Sequence, residues 1–206
     1  MNLYQRALGT AFVYNHVRPL VVGGIDMSPF YDRVQSTAAD VVLDVGCGTG
    51  DALRYLTGFS SYQGIDTDDV AIRFASKTYG DRQGVSFSCQ MCTTDDVARI
   101  QPSHVLLCGL LHHISDDDAL ALFSALKASS KLKRIVTSDI VYLDNGTVSN
   151  SVSNFLAGLD RGKFCREREQ FEALVTRAGL KLVESDIVRS HPTRGLAKYL
   201  MMTVEP

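Results

Sequence analysis

The sequence predicts an α/β protein in which a doubly wound, mostly parallel sheet lies between two layers of helices, a three-layer α/β/α sandwich. From position 41 onward, apolar runs of strand length alternate with amphipathic segments of helical period, which is the pattern of a parallel sheet with helical crossovers. A glycine-rich turn directly after the first run is a second indication. A third is the pair of apolar segments at 180–189 and 196–204, whose link is too short for a helix and therefore makes them antiparallel.

The first strand leads into a tight turn and a helix. The apolar run at 41–43 is followed by Asp44 and then by three glycines at alternate positions, Gly46, Gly48 and Gly50. Glycine allows the backbone to approach a ligand closely, and free N–H groups at the start of the next helix would face a bound anion. Three apolar residues predict that this helix packs back on the strand: Ala52, Leu53 and Leu56.

The spacing of the glycines restricts the ligand. The pattern is G-x-G-x-G followed by Asp51, whereas a dinucleotide fingerprint requires G-x-G-x-x-G/A with a small residue at that place. The Gly-Lys-Ser/Thr of a triphosphate loop does not occur in this turn. The second apolar run, 62–66, ends in Asp66, whose carboxylate can accept hydrogen bonds from both hydroxyls of a ribose.

The later elements follow in order. Helices are predicted at 28–34, at 70–78 with Gly80 as its end, from a Ser115 cap to about 128, and at 167–178 before Gly179. Strands are predicted at 85–88, 103–109 and 131–139, and the segment 141–168 lacks a clear period. The three acids at 116–118 resemble a metal cluster, but the first turn of a capped helix explains them.

Three stretches together resemble one family. LDVGCGTG followed by GID, then HVLLCGLLHHISDDDA and KRIVTSDIVY, look like successive motifs of the class I S-adenosylmethionine-dependent methyltransferases of the small-molecule type. The resemblance covers about 40–205. It implies a Rossmann-like, seven-stranded sheet with a reversed last strand, S-adenosyl-L-methionine as the cofactor and S-adenosyl-L-homocysteine as its product.

The same resemblance implies a set of cofactor contacts. The glycine turn would touch the methionyl part, Asp44 would lie near its amino group, and Asp66 would bind the ribose. The acid that usually meets the adenine is replaced by Cys89-Gln90-Met91-Cys92, so backbone atoms, the Gln90 amide and Asp95 remain alternatives. The full set of expected cofactor contacts is Asp44, Gly46, Cys47, Gly48, Gly50, Asp66, Thr67, Gln90, Met91 and Gly109, the last through its carbonyl.

Catalytic candidates lie after the fourth and fifth strands. His113 is the first choice as general base because imidazole titrates near neutrality, followed by His112 and Asp139. The alternative is a histidine that only shapes its loop. Four residues are candidates for the acceptor pocket: Tyr31, Tyr142, Arg161 and His191. Arg161 and Lys163 would either hold an anionic acceptor or be solvated charges on a loop. Tyr31 and Phe30 would either close over the cofactor or belong to the core.

Composition restricts the class further. A chain of 206 residues with 45% hydrophobic content predicts one domain: a helical cap at 1–36, with the helix at 3–22 also a possible lid, and a core at 37–206 with an acceptor-pocket insert at 141–168. The net charge of -2 argues against nucleic acid as a partner. No leader or membrane span is expected, and five cysteines, an odd number, favour reduced thiols in the cytoplasm.

Cys89 and Cys92 could bind a metal or act in redox chemistry, but a single C-x-x-C favours ordinary thiols, and no metal is expected. The function indicated is methyl transfer to a small-molecule acceptor at oxygen. The alternatives are carbon methylation of a quinone or lipid precursor, and a cyclase or isomerase that binds the cofactor without methylating. The sequence does not indicate the oligomeric state.

Overall fold

The computed structural model describes residues 24–160 and 162–206. The helix predicted at 3–22 lies outside the described residues. The strands are β1 (Val41–Val45), β2 (Ser61–Asp66), β3 (Val85–Cys89), β4 (His104–Cys108), β5 (Arg134–Tyr142), β6 (Arg166–Glu167), β7 (Lys181–Arg189) and β8 (Lys198–Glu205). The α-helices of the described chain are α1 (Ser28–Tyr31), α2 (Asp69–Tyr79), α3 (Thr94–Ile100), α4 (Asp116–Leu126), α5 (Val148–Gly158) and α6 (Arg168–Arg177).

The strands form one twisted path with the order β3-β2-β1-β4-β5-β8-β7, and the two-residue β6 pairs with β5 beside it. Strands β1 to β5 are parallel to their neighbours, whereas β8 is antiparallel to both β5 and β7. The order reverses between β1 and β4, which is where open α/β sheets bind ligands. The predicted doubly wound sheet with a reversed last strand is confirmed.

Two apolar cores cover the two faces of this sheet. Alternate residues of β1 point to opposite faces, so that Leu43 packs in one core and Val42 in the other. The first core contains residues of α3, α4 and α6, among them Phe123 and Phe171, which are fully buried. The second contains Phe30 of α1 and Tyr62 of β2, also fully buried. The three-layer arrangement is therefore confirmed.

The helix predicted after the glycine turn is a short 3-10 helix, Asp51–Arg54, and its Ala52 and Leu53 pack in one core with Val42 of β1. Two other local predictions were wrong. Strand β5 does not end at Asp139: Ile140 continues the ladder with β8, and Val141 pairs with β6, so that Asp139 lies inside the strand. The insert 141–168 contains helix α5, whose start is fixed by the Thr147 side chain accepting a hydrogen bond from Asn150 N.

The predicted cap of α4 is confirmed. The Ser115 hydroxyl oxygen accepts from Asp118 N at 3.2 Å, and three acids occupy the first turn, where the helix dipole favours negative charge. One of these acids, Asp116, also binds Arg166 and Arg177. In the described parts of the chain, no helix is long and apolar enough to cross a membrane.

Candidate functional site

The carboxyl ends of β1, β2, β4 and β5 meet at one edge of the sheet. Asp44 is the fourth residue of β1, and Gly46 comes directly after that strand. Asp66 is the last residue of β2, and Gly109 comes directly after β4. Gly109 N donates to Ser138 O at 2.7 Å, which joins the end of β4 to β5. These four expected cofactor residues therefore lie on one rim, as the strand order predicts.

The glycine turn is held to the end of β2 by its own N–H groups. Gly46 N and Cys47 N both donate to Ile65 O, at 2.8 and 3.2 Å, and Gly50 N donates to Cys47 O. Gly48 N donates to the Asp66 carboxylate at 2.8 Å. These four donors of the turn therefore already have protein acceptors, and the expectation of free N–H groups at the start of the next helix stays a prediction.

Two glycines of the turn require glycine for different reasons. Gly50 has a φ of 75°, and a Cβ there would lie 3.1 Å from the Phe87 ring. Gly48 has a φ of 52°, yet a Cβ there would meet nothing within 4 Å. The backbone at Gly48 therefore faces open space, as a turn that lies against a ligand must.

The Asp66 carboxylate is fixed on both sides by the backbone. Its Oδ2 accepts from Gly48 N and its Oδ1 accepts from Asp68 N at 2.9 Å. Each carboxylate oxygen has a second lone pair, so two further donors can bind. This is the arrangement that a pair of ribose hydroxyls needs.

Asp44 is a buried acid beneath the turn. It is 4% exposed and accepts a hydrogen bond of 2.6 Å from the hydroxyl of Tyr62. Burial raises the pKa of Asp44 to about 7, opposed by the Tyr62 hydrogen bond and aided by the charge of Asp66. The sequence did not indicate this contact of Tyr62, because its apolar strand context marks the residue only as core.

The residues expected near an adenine, which follow β3, differ in their exposure and in their hydrogen-bond partners. Met91 is 75% exposed after β3. The Gln90 amide donates to Asp96 Oδ2 at 2.8 Å and so supports the capping box that begins α3. Cys89 Sγ contacts Thr67 O. The Gln90 side chain therefore points toward α3. Which residues would contact the adenine stays a prediction.

Aromatic residues line the rim beside the turn. The rings of Tyr31 and Tyr55 are stacked with centroids 4.5 Å apart. Burial raises the pKa of Tyr31 above its usual range, and the charges of Cys108 and Asp44 add to the rise. Phe30 is fully buried in the second core, and Tyr31 is half-buried and packs against the same core, so its contact with a ligand stays a prediction.

His112 is enclosed by two acids. Its Nδ1 lies 2.8 Å from Asp139 Oδ1, which also accepts from His112 N at 3.1 Å. Its Nε2 lies 3.3 Å from Asp160 Oδ1 without hydrogen-bond geometry. Burial lowers the pKa of His112, but the carboxylates of Asp139 and Asp160 outweigh burial and raise that pKa to about 9. Asp139 is 2% exposed, and burial raises its pKa despite the His112 hydrogen bonds.

The segment 162–167 closes over this histidine. A Cβ at Gly162 would collide with the His112 ring at Cδ2, and Phe164 N donates to His112 O at 3.0 Å. Arg166 is 5% exposed and donates to the carbonyls of Leu111, Ile114 and Phe164. These contacts hold the 3-10 turn Leu111–His113 in one position.

His113 is the exposed member of the histidine pair. The two imidazole centroids are 4.1 Å apart. His112, His113 and Asp160 offer ligand atoms that all lie within 4.8 Å of one another, so the described residues contain a group that could hold a metal ion. This group could not be recognised in the sequence, because Asp160 is 47 positions from His113 and belongs to no motif.

The expected acceptor-pocket residues lie on different elements, with Tyr31 in α1. Tyr142 ends β5 at the rim and is half-buried. His191 follows β7, which the sheet order separates from β4 by two strands, and its Nδ1 lies 3.3 Å from Thr193 Oγ1. Arg161 lies outside the described residues, and Lys163 is exposed.

Comparisons with known proteins agree with this geometry. Residues 42–132 match a family model described as a methyltransferase domain. No curated protein matches the sequence at a significant level. Among solved structures, the chain is similar to TnmH, with a TM-score of 0.67, 19% identity and 98% of this chain covered. The chain spans 59% of the length of TnmH.

Two further structures match over most of their own length. A putative methyltransferase of Haloferax volcanii, solved in complex with the Trm112 methyltransferase activator, has a TM-score of 0.66 and 17% identity, with 95% of this chain and 93% of that chain covered. Magnesium protoporphyrin IX methyltransferase from Synechocystis, solved with bound S-adenosylhomocysteine, has a TM-score of 0.58 and 17% identity, with 100% of this chain and 88% of that chain covered. At these identities the likeness shows the fold.

Proposed function

We propose that the chain is a class I S-adenosylmethionine-dependent methyltransferase that transfers a methyl group to a small-molecule acceptor at oxygen. When bound, the cofactor supplies an electrophilic methyl group on a sulfonium. The protein must then bind and orient both partners, exclude water and accept a proton.

The single observation that carries the proposal is the acidic rim around the glycine turn. Asp44 lies beneath the turn, and Asp66 is fixed at its side by two backbone donors. A dinucleotide or triphosphate site needs free backbone donors for phosphate, and four donors of this turn are already used. A cofactor with an ammonium group and two ribose hydroxyls matches the carboxylates instead.

Methylation at oxygen is supported by the histidine pair. A hydroxyl must lose its proton as it attacks the methyl group, and a general base within reach makes that loss possible. His113 is exposed on the rim and is held next to His112, whose ring is fixed by Asp139. We assign His113 as the base in the metal-free protein, and Asp139 as a positioning residue that acts through His112.

Replacing His113 with alanine is expected to lower kcat about 100-fold, because a positioned base contributes at least that much. The dissociation constant of S-adenosylmethionine should stay within about twofold, because the turn and Asp66 are unchanged. Release of S-adenosylhomocysteine is measured with a panel of phenols and hydroxylated acids. Equal losses in turnover and in cofactor affinity would remove the assignment, and activity only with carbon acceptors would favour the alternative chemistry.

The affinity for S-adenosylmethionine is expected to rise about tenfold between pH 6 and pH 8. With its pKa near 7, Asp44 is mostly neutral at pH 6, whereas the cofactor ammonium favours the ionised form, so binding at low pH requires release of a proton. Calorimetry at several pH values measures this. Asp44→Asn should abolish the dependence, and 5′-methylthioadenosine, which lacks the ammonium, should show none. A flat profile for the wild type would contradict the placement of Asp44.

A further inference from the structure

A cluster of two histidines and one acid lies beside Gly109, at the end of β4. A Cβ at Gly109 would lie 3.7 Å from His112 Cε1, so the cluster adjoins the proposed cofactor site. We propose that this cluster binds a divalent transition cation of the zinc type through His112 Nε2, a ring nitrogen of His113 and a carboxylate oxygen of Asp160.

The strongest support is the state of His112 Nε2. The His112 side chain is only 2% exposed, so solvent does not reach Nε2, and this atom makes no hydrogen bond with the described residues. Buried polar atoms normally have partners, and one without a partner costs free energy. Because Nε2 faces Asp160, the position that would complete its contacts lies between an imidazole nitrogen and a carboxylate.

The other ring nitrogen is held as in histidines that bind metals. Nδ1 lies 2.8 Å from Asp139 Oδ1, and a carboxylate partner at Nδ1 keeps the proton on that nitrogen, so a cation that binds at Nε2 displaces the proton of Nε2. Asp139 is itself buried within β5 and also accepts from His112 N. The ring can therefore neither rotate nor exchange its two nitrogens without losing these contacts.

The separation of the ligand atoms suits a small cation. His112 Nε2 and Asp160 Oδ1 are 3.3 Å apart. Zinc lies about 2.0–2.2 Å from nitrogen and oxygen ligands, so neighbouring ligands of a tetrahedral site are about 3.4 Å apart. The distance between Nε2 and Oδ1 is thus longer than that of a good hydrogen bond and close to the separation of two ligand atoms in a tetrahedral zinc site.

The backbone around the cluster is tightly held. Gly162 lies so close to His112 that any side chain there would collide with the ring. Arg166 binds the carbonyls of Leu111 and Ile114 on either side of the histidine pair. The site would therefore exist before the cation arrives, which lowers the cost of binding.

The donor set and its exposure indicate what the cation would do. Two imidazoles and one carboxylate are typical of zinc and related ions, and three protein ligands leave a fourth position for water or an acceptor. His113 is exposed, so that position is open to solvent. With the cation bound, His113 is a ligand, and the cation instead lowers the pKa of an acceptor hydroxyl.

The test is zinc binding by the full chain after chelator treatment, measured by calorimetry without S-adenosylmethionine. One equivalent of zinc should bind, and cobalt should give the visible absorption of a tetrahedral nitrogen and oxygen site. Asp160→Asn should weaken zinc binding at least tenfold, and His113→Gln should do the same if the first variant fails to fold. The matched control Asp117→Asn removes an exposed acid of α4 and should bind as the wild type does.

Cys89→Ser separates this site from adventitious binding by the thiols of Cys89 and Cys92, which are both free. Zinc binding by Cys89→Ser equal to that of the wild type supports the proposal. Absence of zinc binding to the wild type, undiminished binding by folded Asp160→Asn, or loss of binding in Cys89→Ser overturns it. None of these results bears on cofactor binding or on the release of S-adenosylhomocysteine, which test the proposed methyl transfer separately; zinc binding changes only the role of His113, from base to ligand.

Discussion

Replacing Asp66 with alanine is expected to weaken the binding of S-adenosylhomocysteine by about a thousandfold. Two hydrogen bonds from ribose hydroxyls to a carboxylate are worth about 2 kcal/mol each, and both would be lost. The variant also removes the acceptor for Gly48 N and Asp68 N, so the turn loses its fixed position. Isothermal titration calorimetry of wild type and variant measures the difference directly.

The control for Asp66 is another acid of equal charge. Asp81 is exposed beyond the end of α2, and Asp81→Ala should change the dissociation constant by no more than about twofold. Thermal unfolding of each variant shows whether the fold is intact. If folded Asp66→Ala binds as tightly as Asp81→Ala, then Asp66 does not contact the ligand.

Replacing Arg166 with methionine is expected to lower the free energy of unfolding by about 3 kcal/mol. The guanidinium donates to three carbonyls that would lose a partner, and each unsatisfied buried group costs about 1–3 kcal/mol. It also binds Asp116 and lies 5.4 Å from the centroid of the Phe171 ring. Urea unfolding followed by circular dichroism measures the loss.

Arg177 provides a matched control for Arg166. It contacts the same acid, with Nη1 3.4 Å from Asp116 Oδ2, but its side chain is 53% exposed. Arg177→Met should therefore cost less than about 1 kcal/mol, as exposed ion pairs do. Equal losses in the two variants would show that Asp116, and not the carbonyls around the histidine pair, accounts for the stability that Arg166 provides.

The sheet could be predicted because local patterns determine it. The apolar runs and the short link before β8 established the order of elements, and the motif after β1 placed Asp44 and the glycines on the rim. The length of β5 was not predictable in this way. Ile140 and Val141 extend it because β8 and β6 lie beside them, and those partners come from distant parts of the sequence.

The surroundings of the histidine pair could be predicted only in part. The motif after β4 indicated His112 and His113, but the burial of His112 and the exposure of His113 depend on the segment 162–167 folding over the first of them. That segment has no recognisable period. Asp160 and Arg166 become meaningful only through contacts with residues about 50 positions earlier, which no local pattern shows.

The central claim is tested most directly by calorimetric titration of the folded chain with S-adenosylhomocysteine and, in a separate titration, with NAD. The glycine turn with Asp66 predicts one saturable site for S-adenosylhomocysteine and no heat for NAD. A well-folded protein that gives no heat with S-adenosylhomocysteine or S-adenosylmethionine, or that binds NAD at the same site, would contradict the account.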